Sequence, residues 1–154
     1  MKKLRVYLDT SVVGGCFDPE FADWSNALVA DFEAHRFVPA VSEIVAAEVE
    51  VAPAHVRKKF EELLDLGAEL LKIDREVLDL AGEYSRHGIL PPKFRNDLLH
   101  IAIATVANVD VLVSWNFKHI VRLEKIRLYS AVNLEAGYKP LEIYSPREVS
   151  SYDE

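Results

Sequence analysis

Apolar and polar positions recur along the chain in two rhythms, and together they predict strands separated by helices. Residues 4–8 (L-R-V-Y-L) are β-branched and aromatic, a strand that ends at Asp9-Thr10-Ser11 and the turn residues Gly14-Gly15. A helix over 22–35 follows, with Phe21, Trp24, Leu28 and Phe32 as one apolar stripe that reads as core. Residues 37–41 predict a short buried strand, and Ser42 stands at an N-cap position that opens a helix with Ile44, Val45 and Val49 inward. Pro53 begins an amphipathic helix that Gly67 stops. Then come a strand at 69–73, a helix at 75–87 ending near Gly88, the pair Pro91-Pro92 and an apolar helix at 94–108. A buried strand at 109–114, a helix over 118–128 and a last strand at 141–144 complete the order. Strands alternating with helices predict a parallel sheet covered on both faces.

The length of 154 residues suits one domain, expected over 1–146, with a polar tail at 147–154. No stretch reaches the roughly 20 apolar residues needed to span a membrane. The start, M-K-K-L-R-V-Y-L-D, runs straight into a strand, so no signal peptide is expected. The single cysteine, Cys16, cannot form an internal disulfide; it reads as a small packed residue and suggests a reducing cytoplasm.

A net charge of −7 argues against a generic nucleic-acid binder. Its distribution changes that picture. Residues 18–50 hold Asp18, Glu20, Asp23, Asp31, Glu33, Glu43, Glu48 and Glu50 against the one base Arg36. Residues 115–127 hold Lys118, Arg122, Lys125 and Arg127 against Glu124, a local basic excess. Many of these charges read equally well as solvated helix faces.

In open α/β sheets, ligand sites form beyond the carboxyl ends of the strands. Asp9 lies at that end of the first strand and Asn116 just past that end of the fourth, while Glu48 and Asp97 sit on helices that leave or approach the sheet. Gathered carboxylates suit a hard cation such as Mg²⁺ or Mn²⁺, which prefers oxygen ligands and keeps waters for a phosphate to replace. His100, three residues after Asp97, reads as a partner for Asp97 or a water, or as a packed histidine. His119, flanked by Lys118, reads as a substrate contact or a solvated helix start, and Lys93 and Arg95 suit backbone phosphates. Trp115 is expected beneath the site.

Other enzyme classes fit poorly. A haloacid-dehalogenase-type phosphatase needs a second Asp where Ser11 stands, and a dinucleotide fold needs G-x-G-x-x-G where V-V-G-G-C stands. A Cys-based phosphatase needs Arg where Ala22 stands.

Taken together, Asp9-Thr10-Ser11, Ser42 with Glu48 six residues on, Asp97-Leu98-Leu99-His100 and Ser114-Trp115-Asn116 resemble the motifs of PIN domains. The resemblance is closer still to the VapC-type toxin ribonucleases of type II toxin–antitoxin pairs, and it covers essentially the whole chain. It implies an α/β/α sandwich around a parallel sheet of about five strands. It also implies a Mg²⁺- or Mn²⁺-dependent endoribonuclease, with Asp9, Glu48 and Asp97 as catalytic acids and metal ligands. Ser11 is implied as a hydrogen-bonding residue of the substrate side of the site. An RNA substrate, a cognate antitoxin whose peptide enters the acidic groove, and a homodimer are implied as partners.

The chain departs from that pattern at one position. Asn116, the fourth catalytic candidate, stands where the family usually carries an acid; it can offer a carbonyl oxygen or donate to a water or phosphate, but the implied site is lighter in charge and holds a second ion less tightly. Glu43, Asp18 and Glu20 are the acids near enough in sequence to compensate, and nothing in the sequence chooses among them. An RNA- or protein-binding module without hydrolysis is the second reading.

Overall fold

A computed structural model describes residues 2–152. The first half runs β1 (Arg5–Leu8), α1 (Thr10–Gly15), α2 (Ala22–Glu33), β2 (Val38–Ser42), α3 (Glu43–Glu50), α4 (Ala54–Asp65) and β3 (Glu69–Leu71). The second runs α5 (Arg75–Arg86), a 3-10 turn at Pro92–Phe94, α6 (Arg95–Val106), β4 (Val111–Val113), α7 (Leu123–Glu135), β5 (Ile143–Tyr144) and α8 (Pro146–Val149).

All four strand pairings are parallel, in the order β3-β2-β1-β4-β5. The chain therefore builds outward from β1 on one side, then jumps from β3 across to β4 and continues the other way. Right-handed crossovers put α1 to α4 on one face and α5 to α7 on the other. The packing agrees, with α1 touching α2 and α4 on one side and α5 touching α6 and α7 on the other. The result is the expected α/β/α sandwich. The reversal lies between β1 and β4, and at such a switch point a crevice opens beyond the carboxyl ends of the strands.

β1 is the central strand, and Val6, Tyr7 and Leu8 are fully buried. α6 is buried from Leu98 through Thr105, which explains why its apolar residues run nearly all round rather than along one stripe. The α2 stripe packs as expected, with Leu28 and Phe32 buried and Phe21 and Trp24 partly so. Among the described residues no helix is long and apolar enough to cross a membrane.

Three local features differ from the pattern-based expectation. Gly14 and Gly15 do not make a turn; they close the short helix α1, which Asp9 caps by accepting from Val12 N. The helix expected over 118–128 begins only at Leu123, because residues 116–122 fold into a loop tied by Asn116. Asn116 Oδ1 accepts from His119 N, and its carbonyl accepts from Ile120 N and Val121 N. The segment expected to be a polar tail contains α8, whose N-cap Ser145 forms a capping box with Glu148. Ser151 then donates to Asp31 and Tyr152 packs edge-on against Trp24. The last two residues of that tail lie outside the described residues.

Gly15 is required for packing rather than for its dihedral freedom. A Cβ there would stand 2.7 Å from both Ser25 Oγ and Trp115 Nε1, which hydrogen-bond each other. Alanine gains about 1 kcal/mol over glycine in helix propensity, but overpacking costs about 1–3 kcal/mol, and the clash involves two buried partners. Gly15→Ala is therefore expected to lower the urea unfolding midpoint; an unchanged or raised midpoint would contradict this packing.

Candidate active site

Asp9 leaves the carboxyl end of β1 with its side chain 3 % exposed. A buried carboxylate must be hydrogen-bonded or neutralised, and here three donors converge on it. Ser11 Oγ donates to Oδ1 at 2.6 Å, Val12 N to Oδ1 at 3.2 Å, and Ser114 Oγ to Oδ2 at 2.5 Å. Ser114 follows β4, so the two strands that flank the switch point hold Asp9 between them. Burial pushes the Asp9 carboxyl above its ordinary range, offset in part by the nearby His100 ring and by these three hydrogen bonds.

Glu48 comes from α3 and is reached from two sides. Thr10 Oγ1 donates to Oε1 at 2.7 Å, and His100 Nε2 lies 2.7 Å from the same oxygen. A carboxylate only accepts, so Nε2 carries the hydrogen. Behind the imidazole, Nδ1 meets Tyr7 Oη at 2.6 Å, and Tyr7 Oη meets Ser42 Oγ at 2.8 Å. Tyr7 thus links Ser42 to His100, and His100 links it on to Glu48. All three supporting side chains are buried. Burial alone would raise the Glu48 carboxyl, but bonds and charge from His100, then bonds from Thr10 and Asn96, outweigh it and hold it below its ordinary value.

Asp97 lies in the first turn of α6, three residues before His100. Its Oδ2 is 2.8 Å from Nδ1 of His119, whose backbone N–H is capped by Asn116 Oδ1 at 2.9 Å. Asn116 N in turn donates to Ser114 Oγ at 2.9 Å. A closed circuit results: Asp9, Ser114, Asn116, His119, Asp97, one turn of α6, His100, Glu48, Thr10, and back to Asp9. The three acids come from segments far apart in sequence and are linked by one hydrogen-bonded circuit.

The donor set consists of carboxylate oxygens, the chemistry that suits Mg²⁺ or Mn²⁺. Among the described residues no three His, Cys, Asp or Glu side chains come together closely enough to hold an ion. The reason is visible in the circuit, because Glu48 and Asp97 are each turned onto an imidazole. Each carboxylate has lone pairs beyond those bonds. The donor chemistry is of the kind that suits a hard cation, while Glu48 and Asp97 are engaged with His100 and His119.

The other sequence candidates are distributed unevenly. Ser11 is committed to Asp9 and also accepts from Trp115 N, so its hydroxyl faces the protein. His119 is buried against Asp97, while Lys93 and Lys118 are exposed and line a cavity on its far side. Arg95 is exposed at the start of α6 and lies outside that lining. Asp18 is exposed and accepts from Glu20 N in a turn, and neither these two nor Glu43 bonds to the circuit. Trp115 lies beneath the site as expected, stacked on Phe21 at 4.2 Å. Cys16 is buried, which pushes its thiol up to about 11. Thr10 and Ser42 stood in the sequence motifs without an assigned role in the site, and Tyr7 was not singled out for the site at all.

The raised Asp9 carboxyl means that the folded chain binds this proton more tightly than the unfolded one. Stability from this group is present at low pH and lost as pH rises through the folded value. Asp9→Asn keeps a good N-cap residue and removes the buried charge. In EDTA at neutral pH the variant is expected to melt above the parent protein, with the gap closing as pH falls through the carboxylate range. A variant that melts below its parent at neutral pH would contradict this assignment.

No family model and no curated protein matches the sequence. Solved structures do match the fold. A chain of VapBC2 from Rickettsia felis, bound to a DNA fragment from their promoter, superposes with TM-score 0.59 at 18% identity over 92% of this chain and 98% of that one. A chain of FitAcB from Neisseria gonorrhoeae gives 0.58 at 16% identity over 92% and 98%. VapBC-1 from nontypeable Haemophilus influenzae gives 0.57 at 13% identity over 94% and 99%. At near-complete coverage of both partners, the chain has a VapC-type PIN-domain fold.

Proposed function

We propose that this protein is a Mg²⁺- or Mn²⁺-dependent endoribonuclease acting as the toxin of a toxin–antitoxin pair, with Asp9, Glu48 and Asp97 holding the ion. The observation that carries the reading is the circuit of three carboxylates from β1, α3 and α6 at the switch point of the sheet. Three acids tied into one hydrogen-bonded network beyond the carboxyl ends of the strands are oxygen donors of the kind a hard cation would use. When bound, the ion supplies Lewis acidity toward the phosphodiester and a more acidic water. The protein supplies positioning. Ser11 and Ser114 fix the plane of Asp9, Thr10 and His100 fix Glu48, and His119 steadies Asp97. Asn116 acts through its cap on the His119 loop rather than as an acid.

Hydrolysis by water leaves the 2′-hydroxyl unused, so the products carry 5′-phosphates and 3′-hydroxyls. The motif resemblance and the likeness to chains of VapBC and FitAcB structures support a cognate antitoxin; the homodimer rests on the motif resemblance alone, and a cytoplasmic setting on the single cysteine. One observation favours a second reading: Asn116 replaces an acid and its carbonyl is already used. A module that binds RNA or protein without hydrolysis would have that composition.

Two measurements separate the readings. RNA cleavage by the purified protein is expected to require Mg²⁺ or Mn²⁺ and to fall about a hundredfold or more in Asp9→Asn, Glu48→Gln and Asp97→Asn. The same cations are expected to raise the melting temperature of the parent protein. Full metal-dependent activity in Asp9→Asn would refute the assignment, and RNA binding with neither cleavage nor a metal-induced shift would select the binding module.

A further inference from the structure

On the far side of His119 from the acid circuit lies a cavity of about 360 Å³. Its walls carry Lys93, Lys118, Arg122 and Lys125, and Pro91 and Phe94 form an apolar part. No carboxylate lines it, in a chain whose net charge is −7. Three of the four cations have no carboxylate partner among the described residues. Lys93 lies 5.1 Å above the Phe94 ring, Lys125 donates to the carbonyl of Ile89, and Lys118 has neither hydrogen bond nor ion pair. Arg122 has a loose pair with Glu124 at 3.8 Å, both side chains more than half exposed. Such a pair adds little. Unpaired cations held together repel one another, so an anionic occupant would relieve a cost already present in the fold.

The apolar part narrows the chemistry. Phe94 packs tilted against His119 at 4.0 Å between ring centroids, which fixes one edge of the aromatic ring. Lys93 lies over the ring, and as an exposed side chain it is the group that a planar ligand would displace. A site for phosphate alone would have no use for Phe94 and Pro91, and a run of acidic side chains alone would bring no planar group to them. A nucleotide has both a charged phosphate and a flat π surface. The volume lies in the range of small-molecule pockets, about 300–1,000 Å³. A base can enter such a pocket only when it is unpaired, which excludes duplex RNA.

We infer that this cavity binds one nucleotide of a single-stranded RNA, adjacent to the phosphodiester at the acid circuit. Its base lies on Phe94 and Pro91, and its phosphates contact Lys118 and Arg122, with Lys93 at the rim. The inference rests on the ribonuclease reading for its orientation, since His119 is the shared wall between the pocket and Asp97. It assigns the pocket a preference for unpaired RNA that the acids alone would not impose.

The test is fluorescence anisotropy in EDTA, where no cleavage intrudes. The probes are a short single-stranded RNA, the same strand with abasic sites, its duplex, and a polyglutamate peptide. The abasic strand has the same phosphates and is expected to bind about 5- to 150-fold more weakly, the range of one or more lost base–aromatic stacks. Phe94→Ala should produce the same loss and then bind both strands equally. The double variant Lys118→Ala/Arg122→Ala changes exposed residues and should keep the parent melting temperature. Its log-affinity against log-salt slope should become shallower by about 1.4, for two phosphate contacts on a single strand. Equal binding of intact and abasic strands, equal binding of duplex, or polyglutamate bound as tightly as RNA would each overturn the pocket. The two readings fail separately: predicted binding without cleavage in Mn²⁺ removes the nuclease and keeps the pocket. Cleavage with no effect of the variants or abasic sites does the reverse.

Discussion

Asp9 is a carboxylate buried at the end of the central strand, and much of the surrounding structure exists to make that tolerable. Isolated, it would cost several kcal/mol to bury as an ion. Ser11 and the N-terminus of α1 answer one oxygen, and Ser114, from the neighbouring strand, answers the other. The register of β1 against β4, which pairs Leu8 with Val113, brings Ser114 opposite Asp9. Gly15 then lets Trp115 close over α1, which ties the loop after β4 to the same point. The sheet, the short helix and the site are therefore one cooperative unit.

Glu48 and Asp97 are both less buried than this anchor. Glu48 is held by a hydroxyl and a histidine whose far nitrogen is locked by Tyr7 and Ser42. Asp97 rests on a histidine whose own loop is held by an asparagine cap. Two imidazoles thus occupy comparable places, each between a carboxylate and the protein. On the outer side of the second, the charge reverses and cations gather around an aromatic ring. An acidic centre beside a basic, aromatic pocket is an arrangement suited to a polyanion with flat bases.

The sheet was largely legible in the sequence because buried parallel strands read as apolar runs. The long helices were legible because their caps and glycine stops are chemically distinct, Ser42, Gly67 and Gly88 among them. What escaped was short or tertiary. Two glycines suggested a turn where a side-chain cap from Asp9 sustains α1. The start of α7 was misplaced because an Asn side chain holds residues 116–122 out of the helix, which no periodicity reveals. Around the site, motif positions pointed to Asp9, Glu48, Asp97 and His119, yet their pairing was invisible. His100 stands three residues from Asp97 and bonds instead to Glu48, 52 positions away. Tyr7 looked like an ordinary strand residue and Ser42 like a helix cap, since a hydroxyl gives no signal of every partner it will meet.

The central claim is that this circuit of acids opens to take a divalent cation. Anomalous diffraction from crystals soaked in Mn²⁺ tests it most directly. The account predicts a peak bounded by carboxylate oxygens of Asp9, Glu48 and Asp97, with Glu48 and Asp97 rotated away from His100 and His119. A fully soaked crystal with no peak there, or with Mn²⁺ held only by the acids of residues 18–43, would contradict it.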